Sequence, residues 1–330
     1  MKRGKLAVFL CLAALVLATA PALAKDTVRL GTLRLVNGAP IFISLDKGFF
    51  EAEGINVEVQ WFTAAAPVTV AVASGAVDVG ATGVTAALFN SIAQGAKMYL
   101  VADRGAERAG YPLNALVVNK AAYQQGVTSV KALKGKKIGI TTLGSTYHYQ
   151  IGRLLEQEGL DLSDVELVPL KTTQLLVDAV KQGTVTAAIV SPPFGADAEI
   201  DGWGKRLFWC GDKLNYQVTA VFYSEQLRKN KDLATRFMRA YLKGVRYYVD
   251  ATLGGKRGDK FNEVVKIIAK YTEEQPRTIE HSLLYIDRNG IPDVDDLMEQ
   301  QKWYYKQKMI DRIIPMNEFV DLSFVTAAAK

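Results

Sequence analysis

The sequence predicts an α/β protein of two lobes, joined by a hinge of two chain crossings and finished by a helical C-terminal region. Three observations carry this expectation. Short β-rich runs, polar turns and amphipathic helices alternate along the chain, the pattern of parallel sheets covered on both faces. One such unit occurs twice, as SGAVDVGATG (Ser74–Gly83) and KQGTVTAAIVSPP (Lys181–Pro193). The middle third is flanked by two β-like runs, Leu113–Val118 and Val218–Tyr223, and the chain beyond Ser224 is mostly helical in pattern.

The elements are taken in chain order. Lys2, Arg3 and Lys5 precede an apolar run, Leu6–Ala20, and Ala22-Leu23-Ala24 offers a small-x-small cleavage site. Residues 1–24 therefore read as a signal peptide with Lys25 as the mature N-terminus. The run is short for a bilayer span of about 20 residues. Without those three cations the formal charge of +6 falls to +3, too mild to argue for nucleic acid. Removal of Cys11 leaves Cys210 alone, so an exported chain must rest on packed cores and not on an internal disulfide.

Lobe 1 is expected over residues 25–115. It opens with a strand at Val28–Thr32, a loop at Arg34–Pro40 and a helix at Ile41–Phe50. Ile55–Val59 alternates as a half-buried strand does. A helix at Ala66–Ser74, a strand at Val77–Ala81, a helix at Ala86–Ala93 and a strand at Met98–Ala102 come next. Lobe 2 is expected over 116–218, with a strand at Lys136–Thr141 turning through Gly144-Ser145-Thr146 into a helix. Residues 219–330 return to lobe 1 and supply helices at Leu233–Val249, Phe261–Tyr271 and Val294–Met309. Two crossings make a hinge, which suits a protein that closes on something.

Two helix starts lack an acid in the first turn, at Gly83-Val84-Thr85 and at Gly144-Ser145-Thr146. Free N–H groups, hydroxyls and an uncompensated dipole together suit a small anion; the alternative for either start alone is an ordinary Ser/Thr cap beside the core, and their pairing in matching turns favours a site. In open α/β sheets, ligands collect at such strand-to-helix turns. Catalytic machinery is hard to assemble from only two histidines, His148 and His281, and from Cys210. The chain carries no metal-ligand spacing, no nucleophile elbow, no phosphate loop and no dinucleotide fingerprint. The sequence reads as a binder without a cofactor, not as an enzyme. His148 reads as a brace for its turn. Trp61, Phe62, Tyr147, Trp203 and Tyr216 lie in or near expected turns, and Arg34, Arg104 and Arg108 could each pair with a carboxylate or sulfonate, with the solvated surface as the default expectation for all three.

Four stretches carry a resemblance: DKGFFEAEGINVEV (Asp46–Val59), ASGAVDVGATG (Ala73–Gly83), the segment from Leu133 to Leu160 with GSTYH at its centre, and QQKWYYKQKMI (Gln300–Ile310). Along nearly its whole mature length the chain resembles the periplasmic solute-binding proteins of ABC importers, in the nitrate/sulfonate/taurine group. The resemblance implies a type II periplasmic-binding-protein fold, a periplasmic location, a monomer, and delivery of a small molecule to a membrane permease with its cytoplasmic ATPase. The cargo expected is a sulfonate or an aromatic or aliphatic carboxylate. Asn37, Thr82, Gly83, Thr85, Ser145, Thr146, Tyr147 and Ser191 are expected to line the cleft. Where the family often has Val-Asp-Ala, this chain has Val185-Thr186-Ala187. The rival cargo is a neutral heterocycle, a thiamine-pyrimidine precursor or a flavin, clamped by Trp61 and Tyr147. The rival role is a ligand-sensing accessory protein in the periplasm.

Overall fold

In the computed structural model, residues 25–252, 257, 259–282 and 284–328 are described; the expected leader, with Cys11, lies outside them. Ten strands among these residues form two sheets of five. In chain order they are β1 (Asp26–Leu33), β2 (Ile55–Phe62), β3 (Val79–Gly83), β4 (Met98–Glu107), β5 (Ala115–Asn119), β6 (Lys137–Ile140), β7 (Glu166–Pro169), β8 (Ala187–Val190), β9 (Gly204–Trp209) and β10 (Tyr216–Ser224). The first sheet has the order β2-β1-β3-β10-β4 and the second β7-β6-β8-β5-β9. Each sheet begins with three parallel strands and continues through an antiparallel fourth, β10 or β5, to an edge strand.

The duplicated sequence pattern has a structural counterpart. β3 and β8 hold the third position in their sheets, each between a parallel and an antiparallel neighbour. Both are fully buried, and their small and β-branched side chains suit strands covered on both faces. The carboxyl ends of all six parallel strands open toward the space between the sheets, as residues beyond each one line it.

The chain leaves the first sheet after Glu107, enters the second at Ala115, leaves it after Trp209 and returns at Tyr216. Two details differ from the sequence expectation. β4 runs five residues past Ala102, because its pairing with β10 continues through a bulge. Tyr216 lies inside the returning strand and not ahead of it.

Helices brace this frame. Pro40 stands in the first turn of the helix Ala39–Asp46, where its missing N–H costs nothing. This helix stops short of the expected Phe50, because Gly48 turns the chain at φ +67° before a second short helix, Phe49–Ala52. The 22-residue helix Lys231–Thr252 packs across Ala39–Asp46. Gly244 permits the approach: a methyl group there would fall 2.3 Å from the Pro40 carbonyl oxygen. The helix Val294–Lys306 reaches from lobe 1 to lobe 2. Phe89 meets Tyr304 on one side, and Trp303 covers Gly152 and donates to Glu156 Oε1 at 3.2 Å on the other.

Candidate functional site in the interlobe cleft

Strand ends from both sheets meet at two corners. The Gly144 carbonyl accepts a hydrogen bond from Ala86 N at 2.9 Å, across the cleft. A methyl group on Gly83 would lie 2.9 Å from Thr146 Cγ2, and one on Gly144, itself at φ +71°, 2.6 Å from Ala86 Cβ. Only glycine lets the corners come this close. Thr85 Oγ1 accepts from Leu88 N, and Ser145 Oγ accepts from His148 N, each at 3.3 Å. The helix starts are therefore capped by their own hydroxyls, the plainer of the two readings their sequence allows, and the first also by the Gly144 carbonyl. Neither hydroxyl donates to another described residue, so each O–H remains available.

His148 braces the corner. Its Nδ1 accepts from Gly144 N at 3.0 Å, and burial lowers its pKa to about 4, so the ring is neutral at pH 7. The ring stands edge-on to Trp303, 5.9 Å between centroids.

Above the corners lies a small chamber of about 50 Å³. At about 10–15 Å³ for a water-sized group, it has room for about three to five of them. Seven of the eight expected site residues line it: Asn37, Thr82, Gly83, Thr85, Ser145, Thr146 and Tyr147. Ser191, buried, is absent from the lining. Burial raises the Tyr147 pKa, so its phenol stays protonated.

The chamber also holds Arg104, one of three arginines the sequence offered as an anion partner but not among the expected lining, and five residues it did not single out: Asn114, Thr141, Thr142, Thr173 and Thr219. Arg104 is the most consequential. Expected on the solvated surface, it is 1% exposed. The pairing of β4 with β10 passes from Asp103 opposite Ala220 to Gly105 opposite Thr219, leaving Arg104 as the extra residue of a bulge. Bulges re-aim side chains in this way. Gly105 sits at φ +148°, and the Asp103 carboxylate ties the bend by accepting from Gly105 N at 2.7 Å, Gln217 Nε2 at 2.6 Å and Asp287 N at 2.7 Å.

The Arg104 guanidinium donates to Thr32 Oγ1 at 3.3 Å, while its Nε has no partner, and no carboxylate among the described residues pairs with it. Burial lowers its pKa to about 10, which still leaves it charged at neutral pH. A buried cation without a counter-charge costs several kcal/mol. Two more chamber atoms, Asn37 Oδ1 and Asn114 Nδ2, are buried and unpartnered. A bound anion would relieve the largest of these penalties.

An outer chamber of about 390 Å³ adjoins the inner one and shares Leu33, Leu35 and Thr173 with it. Trp61 and Phe62 at the end of β2 and Phe194 beyond β8 form its apolar walls. Arg34, at its rim, lies 4.3 Å over the Trp61 ring and donates to the Tyr271 carbonyl at 2.9 Å. Trp61 lines only the outer chamber and Tyr147 only the inner one, so the two do not form a common clamp. Arg108 pairs with Asp293 at 3.1 Å, Tyr216 is buried with its hydroxyl on Gln150 Nε2, and Lys181 lies over Trp203 at 5.2 Å. Among the described residues no group of three or more His, Cys, Asp or Glu is arranged to hold a metal, and no helix is long and apolar enough to cross a membrane.

Two α/β lobes that turn their strand ends onto one cleft, across a double crossing, define the periplasmic-binding-protein fold. Within that class the chain belongs to the family described as NMT1/THI5 like, whose model matches residues 36–251. The structure is similar to the nitrate-binding protein NrtA of Synechocystis PCC 6803, with a TM-score of 0.76 and 14% identity over 92% of this chain and 88% of that one. It is also similar to the alkanesulfonate-binding protein SsuA of Xanthomonas axonopodis pv. citri, solved with MOPS, with a TM-score of 0.73 and 17% identity over 91% and 99%. In sequence, the 4-amino-5-hydroxymethyl-2-methylpyrimidine phosphate synthase of Schizosaccharomyces pombe is 32% identical over 125 residues, 38% of this chain and 33% of that protein.

Proposed function

We propose that this protein is the exported substrate-binding component of an ABC importer and captures a small organic anion, a carboxylate or a sulfonate, in the interlobe cleft. It acts in the periplasm as a monomer and delivers its cargo to a membrane permease driven by a cytoplasmic ATPase. The observation that carries the anion is Arg104, a buried charged guanidinium lining the inner chamber with no carboxylate partner among the described residues. Its planar fork suits two oxygens of one head group. Hydroxyls from Thr82, Thr85, Ser145 and Thr146 complete the shell, and Asn37 orients the head. Ser191 acts from beside this shell. Fold likeness to nitrate- and sulfonate-binding proteins supports the importer role.

A second reading has one observation in its favour. The partial likeness to a pyrimidine phosphate synthase, with the two unpartnered amides, would suit a neutral pyrimidine. Titration calorimetry across carboxylates, sulfonates and uncharged pyrimidines separates them. Anions are expected to bind with Arg104 intact; binding by the uncharged pyrimidines alone would overturn the anion reading.

A further inference from the structure

We infer that the cargo is two-part: an anionic head in the inner chamber and an apolar, aromatic body in the outer one. The inference rests on the anion reading above and deepens it. Size decides it first. A dry cavity of about 150 Å³ accepts a benzene ring. The inner chamber, at about 50 Å³, is too small for one, and the outer chamber, at about 390 Å³, has room to spare. Leu33, Leu35 and Thr173 line both spaces, so the two adjoin, and a molecule passing between these three side chains would occupy both.

Chemistry decides it second. The inner lining sets Arg104, two amides and a ring of hydroxyls among small aliphatic side chains and has no Trp or Phe, whereas Trp61, Phe62 and Phe194 are half-buried and face the outer chamber from opposite lobes. The register of β1 with β2 sets Trp61 against Thr32 and Phe62 against Leu33, so the aromatic wall begins where the polar one ends. Phe194 lines the outer chamber from lobe 2 and Trp61 and Phe62 from lobe 1, so an aromatic body held there would be covered from both lobes. Water removed from such a surface favours the aryl ligand, while a methyl group in its place leaves the chamber filled with solvent. Arg34 and Glu274 share this wall, one charge of each sign, so the outer chamber adds no net charge of its own.

Calorimetry of the intact mature protein with two matched pairs tests this: phenylacetate against acetate, and benzenesulfonate against methanesulfonate, with benzyl alcohol as the neutral control. The aryl member of each pair is expected to bind about tenfold tighter or more. Trp61→Ala and Phe194→Ala should each pull that ratio toward one, with thermal melting reporting that both variants fold. Equal affinity within each pair overturns the two-part cargo and leaves the anion reading standing. Binding of benzyl alcohol without the anions overturns the anion reading and this inference with it. Loss of acetate and phenylacetate affinity by the same factor in Phe194→Ala also counts against the inference, because it would make Phe194 a structural wall and not an aryl contact.

Discussion

The two lobes bring unequal chemistry to the same chamber. Lobe 1 contributes Arg104 and Asn37 beside Thr82 and Thr85, whereas lobe 2 contributes Thr141, Thr142, Ser145, Thr146, Tyr147 and Thr173, hydroxyls throughout. The charge is thus built into one lobe and fixed by a bulge, and the other lobe closes with neutral donors. The division has a physical logic. A charge-assisted contact to a guanidinium is roughly twice as strong as a neutral one, so an anion in an open cleft would be held first by the lobe that carries Arg104. On the proposed anion reading, capture by Arg104 on lobe 1 would precede closure by lobe 2.

The largest test removes the charge. In Arg104→Met the affinity for carboxylates should fall by about a hundredfold or more, since breaking one side of a buried ion pair costs about 3–5 kcal/mol. Ligand-free protein should gain stability in the same variant, because a buried cation without a counter-charge has gone. Thermal melting with and without acetate reads both effects: a higher starting temperature and a lost ligand shift. Arg104→Lys should recover part of the affinity, lacking the fork. A loss below threefold in Arg104→Met would break the comparison.

A second test addresses the crossing between the lobes. Glu107 is fully buried at the end of β4; its Oε1 accepts from Asn114 N at 3.2 Å and its Oε2 has no partner. Burial pushes its pKa up to about 8, from an ordinary value of 4.5. Between those pH values the folded protein holds a proton that the unfolded chain has lost. Stability from this group is therefore greatest below pH 4.5, declines as pH rises to about 8, and is level above it, at about 1.4 kcal/mol for each unit crossed. Glu107→Gln removes the decline. Its melting temperature should match the parent near pH 5 and exceed it by several degrees at pH 8; parallel curves would show that Glu107 is ionised in the fold.

A third test keeps the lobes apart. Gly144→Ala sets a methyl group 2.6 Å from Ala86 Cβ, at a positive φ that costs about 1–2 kcal/mol for a residue with a Cβ. The corner cannot then close against Ala86, and affinity should fall by about tenfold while Arg104 is untouched. Small-angle scattering should report a more open protein in the presence of ligand. Full compaction with unchanged affinity would show that the corners do not govern closure.

Legibility in the sequence tracks the range of the interactions. Strand–helix order, the caps Thr85 and Ser145 and the acid-free helix starts depend on residues within a few positions of one another, and seven expected site residues line the chamber for that reason. Arg104 was opaque because its burial depends on a bulge defined by Thr219 and Ala220, more than a hundred residues away. Thr173 was available by the same reasoning as Ser145: its helix also opens without an acid, after a short strand, with Thr172 capping Leu175 N. The aromatic clamp of Trp61 with Tyr147 failed for the opposite reason, since proximity to turns says nothing about which chamber a ring faces.

A fourth test asks whether lobe 2 is as secondary as its chemistry implies. Thr146→Val keeps the methyl group that meets Gly83 and deletes the hydroxyl, so closure geometry survives. A single hydrogen bond from a neutral hydroxyl to an anionic head lies at the low end of the range for charged partners, about 1.5 kcal/mol, which sets the expected loss at about tenfold. In combination with Arg104→Met the hydroxyl should matter less than it does alone, because both groups hold the same head and the double variant has no anion to fix. If Thr146→Val by itself cost as much as Arg104→Met, the anchor for the anion would lie on the closing lobe, and the order of capture and closure argued from the two linings would be reversed.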